Sequence, residues 1–139
     1  MQAVKESVTL RNDVEMPLIG LGVMHTYGSE CVRSICEAVD TGYRMIDTAA
    51  IYGNEQAVGQ GIRECGVDRD ELFITTKLWV QDASYERAKL ACESSLQNLG
   101  LDYLDLYLIH HPWATSTARG GPWRNCWTRA RSGPSACPI

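Results

Sequence analysis

The fold is decided by residues 72–110, which read LFITTKLWVQDASYERAKLACESSLQNLGLDYLDLYLIH. The first seven are mostly β-branched, aromatic or leucine, which predicts a strand over 72–78. A helix is predicted over 84–99, because Ser84 is a suitable N-cap and Gly100 a suitable C-terminal stop. Residues 104–110 form a second apolar run and predict another strand. A strand, a helix and a strand in this order are the unit from which parallel sheets are built.

The same alternation continues towards the N-terminus. A buried strand is predicted over 18–23, a helix over 30–39, a strand over 43–48 and a helix over 54–65. Ahead of them, two short apolar runs flank Asn12-Asp13, a turn pair that predicts a small β-hairpin.

The spacing of the predicted strand ends indicates the architecture. These ends fall near Val23, Thr48, Lys77 and His110, at intervals of 25, 29 and 33 residues. An eightfold β/α barrel of roughly 250 residues has about 31 residues per unit. We therefore predict an α/β fold, an incomplete (β/α)8 TIM barrel made of the N-terminal hairpin and about four β/α units.

Composition excludes several classes of protein. The chain has 139 residues, of which 45% are hydrophobic and 22% are charged, as in a globular domain rather than a disordered or fibrous chain. The apolar runs are too short for a membrane-spanning helix, and the N-terminus has no signal-peptide pattern. We predict a cytoplasmic protein without a membrane partner.

Polar residues at the predicted strand ends carry the candidate chemistry. Asp47, Lys77 and His110 end three successive strands, and Tyr52 lies in the loop after the second. The carboxyl ends of barrel strands open on one face, so these side chains are expected to meet. A phenol is a weak acid, but a nearby ammonium group stabilises its deprotonated form. Tyr52 would then donate a proton, helped by Lys77, while Asp47 holds Lys77 and His110 orients the accepting oxygen.

Four separated motifs carry a resemblance to a known family. They are MPLIGLG at 16–22, GYRMIDTAAIYGNE at 42–55, FITTKLW at 73–79 and LDLYLIH at 104–110. In this order they resemble the aldo-keto reductase family, in its branch of small prokaryotic and protozoan reductases, over about residues 8–112. Met45 departs from the histidine more usual in that branch.

The resemblance implies a function and further site residues. It implies a (β/α)8 barrel and an NADP(H)-dependent oxidoreductase that reduces small aldehydes or ketones to alcohols, with NADP(H) bound without a Rossmann fold. The implied catalytic residues are Asp47, Tyr52, Lys77 and His110. The implied cofactor contacts are Asp47, Gly22, Val23 and Met24. Of these contacts, Gly22, Val23 and Met24 are expected to line the nicotinamide side. The implied substrate contacts are Tyr52, Trp79, His110 and His111.

No metal site is predicted. The six cysteines form no C-x-x-C pair. The adjacent pair His110-His111 is placed on a strand, where successive side chains point to opposite faces, so both are not expected to bind one ion.

The charge of the chain changes sign after Pro112. All 17 acidic residues lie between Glu6 and Asp105, whereas residues 113–139 contain four arginines and no acid. The codons for this tail can be regrouped so that each new codon begins at the third base of the previous one. With permitted synonymous codons, the regrouped frame encodes a peptide that ends in AIGVSN. This ending resembles the strand that aldo-keto reductases have after this point of the sequence. We therefore predict that residues 1–112 are the N-terminal half of an aldo-keto reductase barrel and that residues 113–139 are an aberrant, frameshifted and poorly ordered tail.

Two alternatives concern the tail and the open barrel. A basic arm for nucleic acid or phosphate is one, but the shifted frame accounts for the arginines, so no nucleic-acid partner is predicted. The other is a non-catalytic truncated fragment that self-associates through exposed strand edges, whereas full-length relatives are expected to be monomeric. On either interpretation, this chain alone is expected to be impaired or inactive as a reductase.

Overall fold

The computed structural model describes residues 6–82 and 84–111. The elements are β1 (Ser7–Thr9), β2 (Glu15–Pro17), β3 (Leu21–Gly22), α1 (Gly28–Asp40), β4 (Met45–Asp47), α2 (Glu55–Glu64), β5 (Phe73–Leu78), α3 (Tyr85–Leu99) and β6 (Leu106–Ile109). Short 3-10 helices lie at Ala50–Tyr52, Arg69–Glu71 and Val80–Asp82. The boundary predicted at residue 112 and the segment 113–139 lie outside the described residues.

Four strands form one parallel sheet in the order β3-β4-β5-β6. Each strand is joined to the next through a helix, so the predicted alternation is confirmed. This is the α/β fold of a partial (β/α)8 barrel. Because the strands are parallel, their carboxyl ends and the loops that follow them lie at one edge of the sheet.

The predicted hairpin is confirmed, but the predicted strand over 18–23 is wrong in its extent. β1 and β2 pair antiparallel, and the turn holds Asp13 at a φ of 60°. The sheet strand β3 covers only two residues. Leu18 and Ile19 are 57% and 47% exposed, because the N–H of Leu18 donates to Glu6 O and prolongs the hairpin instead of the sheet.

The helices pack closely against each other on one side of the sheet. In α1 the buried residues Cys31, Ile35 and Val39 recur every four positions and form one apolar face. In α2 a Cβ added at Gly59 would lie 2.0 Å from the backbone oxygen of Leu99, at the end of α3. Glycine at this position therefore allows α2 and α3 to approach each other.

The core lies between the sheet and these helices. Its fully buried aliphatic side chains are Val23, Ile35, Ile46, Val58, Ile74, Leu78 and Leu99. Burial of such side chains is the main favourable term in folding. Within the described residues, no helix is long and apolar enough to cross a membrane.

Candidate active site

The four residues that the strand-end rule singled out lie at the same edge of the sheet. Asp47 is the last residue of β4, Lys77 lies one residue before the end of β5, and His110 follows β6 directly. Tyr52 ends the 3-10 helix after β4, where Gly53 takes a φ of 66° and terminates the turn.

Lys77 and Asp47 form an ion pair at the centre of this edge. The ammonium nitrogen of Lys77 lies 2.7 Å from each carboxylate oxygen of Asp47 and 2.9 Å from the backbone oxygen of Thr48. The two side chains are 15% and 33% exposed, so the pair is partly shielded from water. All three contacts of the ammonium group are made with β4 and the residue after it, which fixes its position.

Tyr52 lies beside both Lys77 and His110. Its ring centroid is 5.5 Å from the ammonium nitrogen of Lys77. It is 5.9 Å from the ring centroid of His110, and the two rings are perpendicular. A phenol, an ammonium group and an imidazole therefore surround one small region, which is the arrangement expected for proton donation to an oxygen atom.

His110 is held by its backbone and has ring nitrogens available for a ligand. The backbone N–H of His110 donates to the backbone oxygen of Leu78 at 3.0 Å. Both ring nitrogens are buried and have no hydrogen-bond partner within the described residues. Burial, followed by the charges of His111 and Lys77, lowers the pKa of His110. The imidazole is therefore neutral near pH 7, with one nitrogen able to donate and the other able to accept.

Trp79 and His111 form an aromatic group with His110. The Trp79 ring centroid lies 5.3 Å from that of His110 and 5.5 Å from that of His111. The two histidine rings are only 4.6 Å apart. The expectation that they point to opposite faces is therefore wrong, because β6 ends at Ile109 and strand alternation no longer applies. Even so, no three metal-binding side chains converge among the described residues.

The three residues predicted to face a nicotinamide ring differ in what they expose. Gly22 pairs in register with Asp47, and a Cβ added there would meet no atom within 4 Å. Met24 is 55% exposed, but Val23 is 1% exposed and packs in the core. Gly22 therefore offers open surface beside Asp47, and Met24 exposes its side chain two residues later, whereas the side chain of Val23 is not available.

Sequence reasoning missed a set of buried polar residues behind the site. Thr48, Asn54 and Glu55 are 0%, 3% and 4% exposed. The Glu55 carboxylate accepts hydrogen bonds from Thr76 at 2.8 Å and from Asn98 at 3.3 Å, and so joins α2 to β5 and α3. The signal available in the sequence was two polar residues, Asn54 and Glu55, at the start of an otherwise apolar helix face.

Comparison with known proteins agrees with this geometry. The model of the Aldo/keto reductase family matches residues 18–120. The chain is 56% identical over 111 residues to glyoxal reductase from Bacillus subtilis, covering 79% of this chain and 40% of that protein. The crystal structure of an aldo/keto reductase from Brucella melitensis matches with a TM-score of 0.73 and 47% identity, covering 76% of this chain and 40% of that one.

A further solved structure is that of a Bombyx mori aldo-keto reductase in complex with NADP, with a TM-score of 0.71 and 40% identity, covering 77% of this chain and 38% of that one. The chain thus spans about two fifths of the length of the relatives that it matches. The matched residues include the hairpin-to-sheet segment, all four sheet strands and the residues at their carboxyl ends. The chain belongs to the aldo/keto reductase family.

Proposed function

We propose that this chain carries the proton-donating site of an NADP(H)-dependent carbonyl reductase, which converts small aldehydes or ketones to alcohols. The observation that carries the proposal is the Lys77–Asp47 ion pair, with Tyr52 and His110 beside the same region. The ring nitrogens of His110 have no hydrogen-bond partner within residues 6–82 and 84–111. The family membership and the name of the glyoxal reductase relative support a carbonyl substrate.

Each side chain has one role in this proposal. The hydroxyl of Tyr52 gives its proton to the carbonyl oxygen as that oxygen gains negative charge. Lys77 stabilises the phenolate that remains, and Asp47 holds the ammonium group in place. His110 is neutral, so it donates one N–H to the carbonyl oxygen and positions the substrate for the transfer. Trp79 and His111 form the edge of the substrate pocket.

The residues beside Asp47 fit the cofactor that the family uses. A flat ring needs a surface without projecting side chains, and Gly22 provides open space at the end of β3. Met24 adds an exposed apolar side chain next to it. We propose that these two residues hold the nicotinamide side of NADP(H), which supplies a hydride to the carbonyl carbon when bound. The complex of the Bombyx mori relative with NADP supports this choice of cofactor.

The test compares Tyr52→Phe with Tyr43→Phe in the full chain. Tyr43 precedes β4, at the opposite end of that strand, and so provides a matched control for loss of one phenol hydroxyl. NADPH oxidation with glyoxal measures turnover, and NADPH fluorescence measures binding. Loss of a general acid is expected to reduce turnover by roughly 100-fold or more, with cofactor binding retained. Tyr43→Phe should match the unmodified chain.

Two results would contradict the proposal in different ways. If the unmodified chain oxidises NADPH with glyoxal, equal turnover for Tyr52→Phe would show that Tyr52 is not the proton donor. An unmodified chain that neither binds NADPH nor oxidises it, and that elutes from size-exclusion chromatography as an oligomer, would favour the non-catalytic, self-associating fragment.

A further inference from the structure

Asn54 is a buried amide that joins two of the loops at the active edge. Its side-chain nitrogen donates to Val23 O at 2.7 Å and to Thr26 O at 2.9 Å. Its side-chain oxygen accepts from the hydroxyl of Thr48 at 2.9 Å. Asn54 is 3% exposed and Thr48 is fully buried. All of these groups therefore need partners within the protein.

The position of Asn54 in sequence suggests a different role from the one that it has. An asparagine directly before a helix normally caps it by accepting a hydrogen bond from a backbone N–H of the first turn. Asn54 is the N-cap residue of α2, yet its side chain makes no capping bond. The side chain instead faces the loops after β3 and β4, so its hydrogen-bonding capacity serves those loops and not its own helix.

Both loops that the side chain of Asn54 binds carry groups of the proposed site. The Val23–Thr26 loop carries Met24, which is one of the residues proposed to face the cofactor. On the other side, the backbone oxygen of Thr48 accepts from the ammonium group of Lys77 at 2.9 Å. The amide of Asn54 thus binds Val23, which directly precedes Met24, and Thr48, whose own backbone oxygen anchors Lys77.

We propose that Asn54 is a positioning residue that sets the Val23–Thr26 loop at a defined distance from the Thr48–Lys77 anchor. The role in cofactor binding rests on the proposed function, whereas the positioning of the loop does not. Asparagine suits this task because one amide supplies two donors for the two carbonyl groups and an acceptor for the hydroxyl. Aspartate has nearly the same shape, but its ionised form cannot donate to either carbonyl.

The experiment measures hydrogen exchange in the full chain by mass spectrometry. It compares Asn54→Asp with Ile62→Val, which trims a core residue of α2 that is 3% exposed and touches neither loop bond. Amides of residues 23–26 should exchange at least about tenfold faster in Asn54→Asp, because the bonds to both carbonyl groups are lost and the net loss of a single hydrogen bond can already account for a factor of about ten. Ile62→Val should change exchange in this loop no more than in the rest of the sheet.

A second pair of variants keeps the test valid if Asn54→Asp does not fold. Thr48→Val removes the hydroxyl but keeps the volume and the backbone oxygen that binds Lys77, and it should also raise exchange at 23–26. Thr48→Ser restores the hydroxyl and should return exchange towards that of the unmodified chain. A merely structural loss of volume would not give this rescue, because serine is the smaller residue.

NADPH titration separates the inference from the proposed function. If the unmodified chain binds NADPH, Asn54→Asp should raise its dissociation constant by roughly tenfold, while Ile62→Val leaves it unchanged. If the unmodified chain does not bind NADPH, the proposed function fails and the exchange data still decide the positioning role. Loop exchange in Asn54→Asp and Thr48→Val that rises no more than in Ile62→Val would overturn the inference.

Discussion

Replacement of Asp105 by alanine should destabilise the chain more than any change at its surface ion pairs. Asp105 is 7% exposed, and one carboxylate oxygen accepts from Arg69 at 2.7 Å and from the backbone N–H of Ile74 at 2.9 Å. The side chain of Arg69 is 19% exposed and its guanidinium group also lies 4.0 Å above the ring of Tyr103. Arg69 cannot move into water without losing these contacts.

The expected magnitude follows from the groups left without partners. Removal of one member of a buried ion pair costs about 3–5 kcal/mol, and a buried N–H that loses its acceptor costs about 1–3 kcal/mol. Because Arg69 is partly exposed and keeps its bonds to Leu72 O and Tyr103 O, we expect a total near 3–4 kcal/mol. Asp105→Asn keeps an acceptor for Ile74 and should cost less than Asp105→Ala.

Urea unfolding followed by circular dichroism measures this loss. For a small protein, the free energy of unfolding falls by about 1–3 kcal/mol per molar urea, so the midpoint for Asp105→Ala should drop by about 1–4 M. The control is Glu37→Gln, which removes a pair with Arg33 whose atoms are 3.8 Å apart and whose side chains are 70% and 71% exposed. That change should cost less than about 0.5 kcal/mol. Equal midpoints for Asp105→Ala and Glu37→Gln would refute the reasoning.

Three further outcomes are expected. Burial lowers the pKa of His110 in the folded chain, so the unfolded chain binds more protons than the folded chain as the pH falls through the histidine range. The free energy of unfolding should therefore decrease below about pH 6.5, and it should decrease less in His110→Gln. Identical pH profiles of the two proteins in urea unfolding would contradict this. Gly59→Ala should destabilise by at least about 2–3 kcal/mol, because its Cβ would lie 2.0 Å from the backbone oxygen of Leu99, whereas Gly61→Ala, whose Cβ would meet only side-chain atoms of Ile35 at 2.9–3.2 Å, should cost less; the reverse order of melting temperatures would exclude this explanation. The DNA that encodes residues 113–139 should be compatible at every codon with the regrouped reading frame, and a single incompatible codon in this tail would exclude the predicted frameshift.

Local patterns were enough to predict most of the elements. The helices over 30–39, 54–65 and 84–99 were recognised because apolar residues recur at helical spacing and glycines follow their ends, as Gly100 does with a φ of 66°. The strand over 18–23 was overextended, because an apolar run does not indicate which neighbour the backbone pairs with. Leu18 pairs with the hairpin and only Leu21 and Gly22 join the sheet.

The candidate site was predictable to a similar degree. Asp47, Lys77 and His110 could be grouped because parallel strands bring their carboxyl ends to one edge, and the structure brings them together with Tyr52. The burial of Val23 agrees with the buried strand predicted over 18–23, although the family resemblance placed this residue on the nicotinamide side. The hydrogen bonds of the Asn54 amide to two loops were not predictable, because they depend on which polar groups the neighbouring loops leave in need of a partner.

The order of residues along the chain is sufficient to determine the alternation of strands and helices, the edge at which polar strand ends gather and the family to which the chain belongs. These properties depend on periodicity, turn chemistry and short motifs, all of which are local. Tertiary structure alone decided that His111 turns towards His110, that the Asn54 amide bridges two loops instead of capping its helix, and that Asp105 pairs with Arg69. The reason is that a polar group excluded from water must find a partner inside the protein, and the available partner is set by segments distant in sequence.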